Sequence, residues 1–266
     1  MDAEKKEKRS GQERPKAPAF PGLLEEMTIE EVQAFGAKVA VLPLGSTEPH
    51  GPHLPYGTDT FEATRLARIG VALANERGAG AILYPALPIT NNVNLRKFPF
   101  ACRIGIRTLM NVIIDIVTQC KEEGVMKFVI VNGHGGNHSA INAAMREIAG
   151  MDNMPFVCAA ARLAQDPLSG EHAGESETSR MLWIRPDLVR THKLGVFSIG
   201  KLRMSELAFA DFVRPWHLEN PASAGGDTRN STAEKGKAVI EAEAEGLAKL
   251  LVALSKATLD ARFPYV

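Results

Sequence analysis

The sequence has little of what would place it at once in a large functional class. Its 266 residues hold three cysteines, Cys102, Cys120 and Cys158, with no C-x-x-C pair among them. That excludes a disulfide framework and a cysteine zinc knuckle, and the three read as reduced thiols in a reducing compartment. Charge of neither sign is in excess, because 31 Lys and Arg balance 31 Asp and Glu. No basic face is implied, so nucleic acid is not an expected partner. No apolar run approaches the ~18 residues needed to cross a bilayer, so no membrane partner is expected either. The first residues lack the apolar stretch of a secretory signal, and the cytoplasm is the expected location. Neither the G-x-x-x-x-G-K-[ST] nor the G-x-G-x-x-G phosphate-binding pattern occurs, and there is no internal repeat.

What is present describes an ordinary globular chain, 45% hydrophobic and 23% charged. Residues 1–20, rich in Lys, Glu and Pro, read as a disordered charged tail. Residues 21–266 read as a single domain. Thr28 to Glu31 forms a capping-box pattern that opens a short helix, and Gly36 closes it. Apolar runs at 38–44, 81–84, 127–131 and 156–160 suit buried strands. Helices are expected over about 60–77, 107–123, 138–149, 175–183 and 232–257. This alternation predicts an α/β fold with a mostly parallel sheet covered on both faces. Ligand crevices in such sheets lie beyond the carboxyl ends of the strands.

Two loops leave such ends. The first, Gly45 to Asp59, holds Glu48, His50, His53 and Asp59 among prolines and glycines that restrict the backbone. Glu48 and His50 are two apart, which in extended chain puts both on one side. Carboxylate and imidazole are natural ligands for Zn, Mn or Fe. Each residue also has a plainer role open to it: Asp59 begins a second capping-box pattern with Glu62, and a lone loop histidine is commonly satisfied by its neighbours. The second loop, Asn132-Gly-His-Gly-Gly-Asn137, joins a strand to a helix and carries His134. Its glycines permit close backbone approach, and a tight turn in which His134 is incidental remains the alternative. A third segment, Glu171 to Ser179, offers His172, Glu175 and Glu177. In a helix the two glutamates point about 200° apart, so one at most reaches a common ligand, and periodicity does not say which. His192 and His217 read as non-catalytic. Trp216 reads as a packed or surface residue, and the polar and aromatic stretch 91–100 as a substrate-facing loop or a subunit contact.

The segments Leu44-Gly-Ser-Thr-Glu-Pro-His-Gly-Pro-His-Leu-Pro55, Asp59, Asn132-Gly-His-Gly-Gly-Asn137 and His172-Ala-Gly-Glu-Ser-Glu-Thr-Ser179 together resemble the creatininase (creatinine amidohydrolase) family. The resemblance runs over roughly residues 25–255, with the motifs in the family's order. It implies a creatininase-like three-layer α/β/α fold and two divalent metal ions per chain. By position, Glu48, Asp59 and His134 would hold one ion, and His50, Asp59 and one further carboxylate the other. In creatininase that carboxylate is a Glu two residues after the second motif's His, where this chain has Gly136. In relatives with the Gly-Gly form, a Glu of the H-A-G-x-x-E-T motif serves, which here is Glu177. The resemblance also implies a homo-oligomer, often a hexamer. Family members act on small molecules and on a redox-peptide precursor; formamide-bearing pyrimidines and a diketo-inositol are among the substrates.

The expectation is then a metal-dependent hydrolase. Hydroxide formed between the ions would cleave a C–N bond of a small cyclic amide or formamide. His172 is the expected proton donor to the leaving nitrogen, Glu175 a second candidate, and His53 an orienting or substrate-contacting residue. Two alternatives stand beside it: ring-opening C–C hydrolysis of a diketo-inositol, and a non-catalytic protein binding a small anion at the Gly-rich loop.

Overall fold

The computed structural model describes residues 21–168 and 170–265; the expected charged tail over 1–20 lies outside them. Helix α1 (Ile29–Phe35) opens as expected, with Thr28 and Glu31 exchanging backbone and side-chain hydrogen bonds, and closes at Gly36 with φ 64°. The sheet follows from four apolar runs: β1 (Val39–Leu44), β2 (Ala81–Leu83), β3 (Lys127–Asn132) and β4 (Phe156–Ala160). They lie in the order β2-β1-β3-β4, all parallel.

Alternation along β1 sorts its side chains onto two cores. Val39 and Val41 join Val71, Leu247 and Leu251 under α2 (Thr58–Glu76) and α7 (Ala233–Lys256). Ala40, Leu42 and Leu44 join Leu109, Ile113, Phe128 and Ile141 under α3 (Ile106–Glu122) and α4 (His138–Ala149). Each face of the sheet is sealed by a helix pair, which gives the three-layer α/β/α sandwich. A shorter helix, α5 (Glu175–Ile184), packs against α2 and α7. Among the described residues no helix is long and apolar enough to cross a membrane.

The chain goes from β1 to β2 on one side and returns to β3 on the other, so neighbouring connections diverge between β1 and β3. Leu44 and Asn132, the last residues of these strands, are register partners. The two loops that follow therefore start side by side at the topological switch point, where α/β sheets bind ligands.

Two readings of local structure change. Asp59 does not cap its helix: the N-cap is Gly57, α2 begins at Thr58, and Asp59 sits inside the first turn. The region 196–228, without a regular pattern in sequence, contains a two-stranded antiparallel pair, β5 (Val196–Phe197) and β6 (Gly226–Asp227), and one turn of helix, α6 (Trp216–Glu219). Its elements are too short for periodicity to register.

Candidate metal centre

Glu48, His50, Asp59, His134 and Glu177 converge beyond the ends of β1 and β3. Their donor atoms form two triads, Glu48–Asp59–His134 and His50–Asp59–Glu177, each with all atoms within 4.8 Å of one another. Asp59 belongs to both. His50 Nε2 lies 2.8 Å from Asp59 Oδ1 and 3.6 Å from Glu177 Oε2. His134 Nδ1 lies 3.1 Å from Asp59 Oδ2, and its Nε2 3.2 Å from Glu48 Oε2. Glu48, His50 and Asp59 are at most 3% exposed. A third triad, Glu48–His50–His172, brings in His172, whose Nδ1 is 3.8 Å from Glu48 Oε1.

Each imidazole donates one N–H to a main-chain carbonyl. His50 Nδ1 donates to Glu48 O at 3.0 Å, His134 Nε2 to Asn91 O at 3.1 Å and His172 Nε2 to Pro49 O at 2.9 Å. A carbonyl only accepts, so these bonds fix ring orientation and leave the opposite nitrogen facing the carboxylates. Ser46 Oγ donates to Glu48 Oε2 at 2.7 Å and itself accepts from Asn92 Nδ2 at 3.1 Å. Sequence reasoning missed this chain of buried side chains, although Ser46 stands two residues before Glu48.

The electrostatics are those of a cation site. Glu48 Oε1 and Asp59 Oδ2 are buried and accept no aligned hydrogen bond. Unpaired carboxylate oxygens that far from water are costly unless a positive charge meets them. In the metal-free protein, protons serve. Burial alone would lower the His134 pKa, but the Asp59 and Glu48 carboxylates 3.1 and 3.2 Å from its ring outweigh it and raise it to about 10. His50 is likewise raised well above its ordinary value by Asp59 against the effect of burial. Burial would raise the Asp59 carboxyl, yet His50 and His134 hold it well below the usual range. Three carboxylates and two imidazoles, with oxygens awaiting a positive partner, are a donor set suited to Zn, Mn or Fe.

The two glutamates of α5 separate as their spacing requires. Glu177 Oε2 accepts from the Ala173 N–H at 2.7 Å and faces His50. Glu175 is not brought to the cluster, since its Oε1 is paired with Lys235 Nζ at 2.7 Å. His53 is buried away from the triads, 3.0 Å from Thr178 Oγ1 and stacked on Phe197; burial pushes its pKa down to about 4. Trp216, read from sequence as a packed or surface residue, stands edge-on to the His172 ring at 5.5 Å. The 91–100 stretch divides: the amide N–H groups of Asn91 and Asn92 are used on backbone carbonyls and on Ser46 Oγ beside the site, whereas Phe100 is 92% exposed. A cavity of about 830 Å³ opens at the end of β4, and Glu177 is the one member of the two triads that lines it.

A three-layer α/β/α sandwich with a carboxylate–imidazole cluster at its switch point defines a class, the metal-dependent hydrolases of amidohydrolase type. The family profile described as creatininase, creatinine amidohydrolase, matches residues 25–251, and the chain belongs to that family. It is 30% identical over 207 residues to a mycofactocin precursor peptide peptidase of Mycobacterium ulcerans (strain Agy99), covering 75% of this chain and 78% of that one. It is 25% identical to a Pseudomonas putida creatinine amidohydrolase, covering 86% and 94%. A Bacteroides fragilis crystal structure named for creatinine amidohydrolase superposes with TM-score 0.82 at 28% identity, covering 91% of this chain and 99% of that one. Other relatives are named as a 3-dehydro-scyllo-inosose hydrolase and as ribosylaminopyrimidinone deformylases. Creatininase structures of the same fold exist in Zn–Zn and Mn forms.

Proposed function

We propose that this chain holds two divalent ions, one at Glu48, Asp59 and His134 and one at His50, Asp59 and Glu177, and hydrolyses a C–N bond of a small cyclic amide or formamide. The observation that carries the reading is the pair of triads sharing Asp59. When bound, the ions supply Lewis acidity toward the substrate carbonyl and lower the pKa of a water.

The protein's own groups do the rest. Glu48, Asp59 and Glu177 set negative charge where the cations rest, and the backbone carbonyls of Glu48 and Asn91 hold the His50 and His134 rings in their ligating tautomer. His172 is the proton carrier. Its Nε2–H is tied to Pro49 O, which leaves Nδ1 facing the cluster. Burial and the neighbouring His50 lower its pKa, which favours an unprotonated Nδ1. It takes a proton from the attacking water and delivers it to the leaving nitrogen. Trp216 on one side and His50 on the other keep the ring in place.

The C–C alternative, ring opening of a diketo-inositol, finds no free polyol-reading amide in Asn91 and Asn92, whose N–H groups are taken up within the protein by Ile104 O, Ser46 Oγ, Thr47 O and Cys102 O. A small-anion site at the Gly-rich loop is disfavoured by the buried carboxylates of Glu48 and Asp59 beside it. We also propose a cytoplasmic location and a homo-oligomer, the latter supported by the exposed Phe100, Phe209, Val213 and Leu218.

Metal content by mass spectrometry, on protein purified without chelator beside Asp59→Asn, tests the reading. About two ions per chain in the wild type and none in the variant are expected, with turnover of cyclic amides or formamides but not of keto-inositols. A wild type that takes up no Zn, Mn or Fe overturns it.

A further inference from the structure

The two helices that carry the second triad are tied together one turn below it. Asp59 and Glu62 are three residues apart on α2, and Glu177 and Arg180 are three apart on α5. Residues at that spacing share a helix face. Asp59 and Glu177 meet at His50, while Arg180 Nη1 lies 3.8 Å from Glu62 Oε2. The ligand pair and the ion pair are thus parallel rungs between the same two helices.

Arg180 is held from every direction. Its two terminal nitrogens donate to both oxygens of Glu243 on α7 at 2.9 and 3.0 Å. Nη2 also donates to Asp166 Oδ2 at 3.0 Å, and Nε to Ser176 Oγ at 3.2 Å. These contacts engage four of the five guanidinium N–H groups, more than a lysine ammonium with three donors can reproduce, and Glu62 adds its charge at 3.8 Å. Arg180 joins α2, α5, α7 and the segment after β4 at one point. Glu62 is 9% exposed and has Arg180 as its salt-bridge partner.

Resting on the two-ion reading above, we infer that Glu62 and Arg180 are positioning residues that set the distance between Asp59 and Glu177 and so make the His50–Asp59–Glu177 site. The Glu48–Asp59–His134 site takes no ligand from α5 and has its own supports in Ser46 and the Asn91 carbonyl, so it depends less on the distance this pair sets.

The test is a titration of the metal-free full-length chain with Mn²⁺, and separately with Co²⁺ followed by its visible absorption, in wild type, Glu62→Gln and Arg180→Lys. Each variant should bind one ion as the wild type does and the second about 10–100-fold more weakly. The Co²⁺ bands of the second equivalent alone should shift, a signature that general loosening does not give. Thermal unfolding of each metal-free variant runs alongside, and Glu62→Gln carries the test if Arg180→Lys does not fold. Variants that bind both ions normally, or weaken both alike, overturn the clamp. A wild type that binds no ion is a separate result, which overturns the two-ion reading and the clamp with it.

Discussion

His134 Nδ1 lies 3.1 Å from Asp59 Oδ2, so the position where a cation would stand carries a proton in the metal-free protein. The His134 pKa, raised to about 10 by Asp59 and Glu48 against the effect of burial, fixes the direction of a pH effect. A raised folded-state value contributes stability that is complete below the unfolded value near 6.5 and is lost as pH rises through about 10. Metal needs the unprotonated nitrogen. Affinity should therefore climb between pH 6.5 and 10 while the metal-free fold weakens. Calorimetric titration at pH 7.5 in two buffers of different ionisation heat should show release of about one proton or more per chain. Binding without proton release would mean that His134 is not an imidazolium before the ion arrives.

His172 separates proton transfer from metal retention. It faces Glu48 at 3.8 Å, farther than the imidazole–carboxylate contacts of the two triads at 2.8 to 3.6 Å. His172→Ala should keep the metal content of the wild type and lose about 10²–10⁴ in kcat. A variant that loses its ions would instead make His172 a ligand.

Glu175 supplies the contrasting case. Its carboxylate is committed to Lys235 in a partly exposed pair, so Glu175→Gln should cost about 0.2–1 kcal/mol of stability and leave turnover within about twofold. A loss as large as that of His172→Ala would restore Glu175 to the proton path.

These predictions rest partly on what the residues disclose and partly on what only the fold supplies. The four strands were readable because β1 and β3 are unbroken apolar runs, and Leu44 and Asn132 mark where their loops diverge. Glu48, His50, Asp59 and His134 stood out as ligand-type side chains in rigid loops. The choice of Glu177 over Glu175 was undecidable from period alone, because a 200° separation excludes one of them without naming it; the partners, His50 and Lys235, lie far off in sequence. The contact of Asn92 with Ser46 and the Glu62–Arg180 pair were silent for the same reason. Each acts through a tertiary neighbour, and Arg180 meets Glu243 across 63 positions of chain.

Gly136 offers the sharpest contrast with creatininase, in which, by resemblance, a metal-binding glutamate stands at this position. A Cβ built there would run into Asn91 O and the His134 ring at Nε2, the two atoms whose hydrogen bond orients that histidine. No side chain fits while His134 keeps its place, and in the proposed site the second carboxylate is Glu177 of α5. Gly136→Ala should displace His134, cost about 1–3 kcal/mol through overpacking, and weaken the ion at Glu48, Asp59 and His134 more than the ion at His50. Gly135→Ala is the matched control, because a Cβ there meets nothing within 4 Å. Thermal unfolding and metal content of the two variants side by side decide the point. Equal behaviour would show that the backbone at 136 yields easily and that the missing glutamate has no steric cause, whereas loss confined to Gly136→Ala would tie the choice of Glu177 to the close approach of this one residue to Asn91.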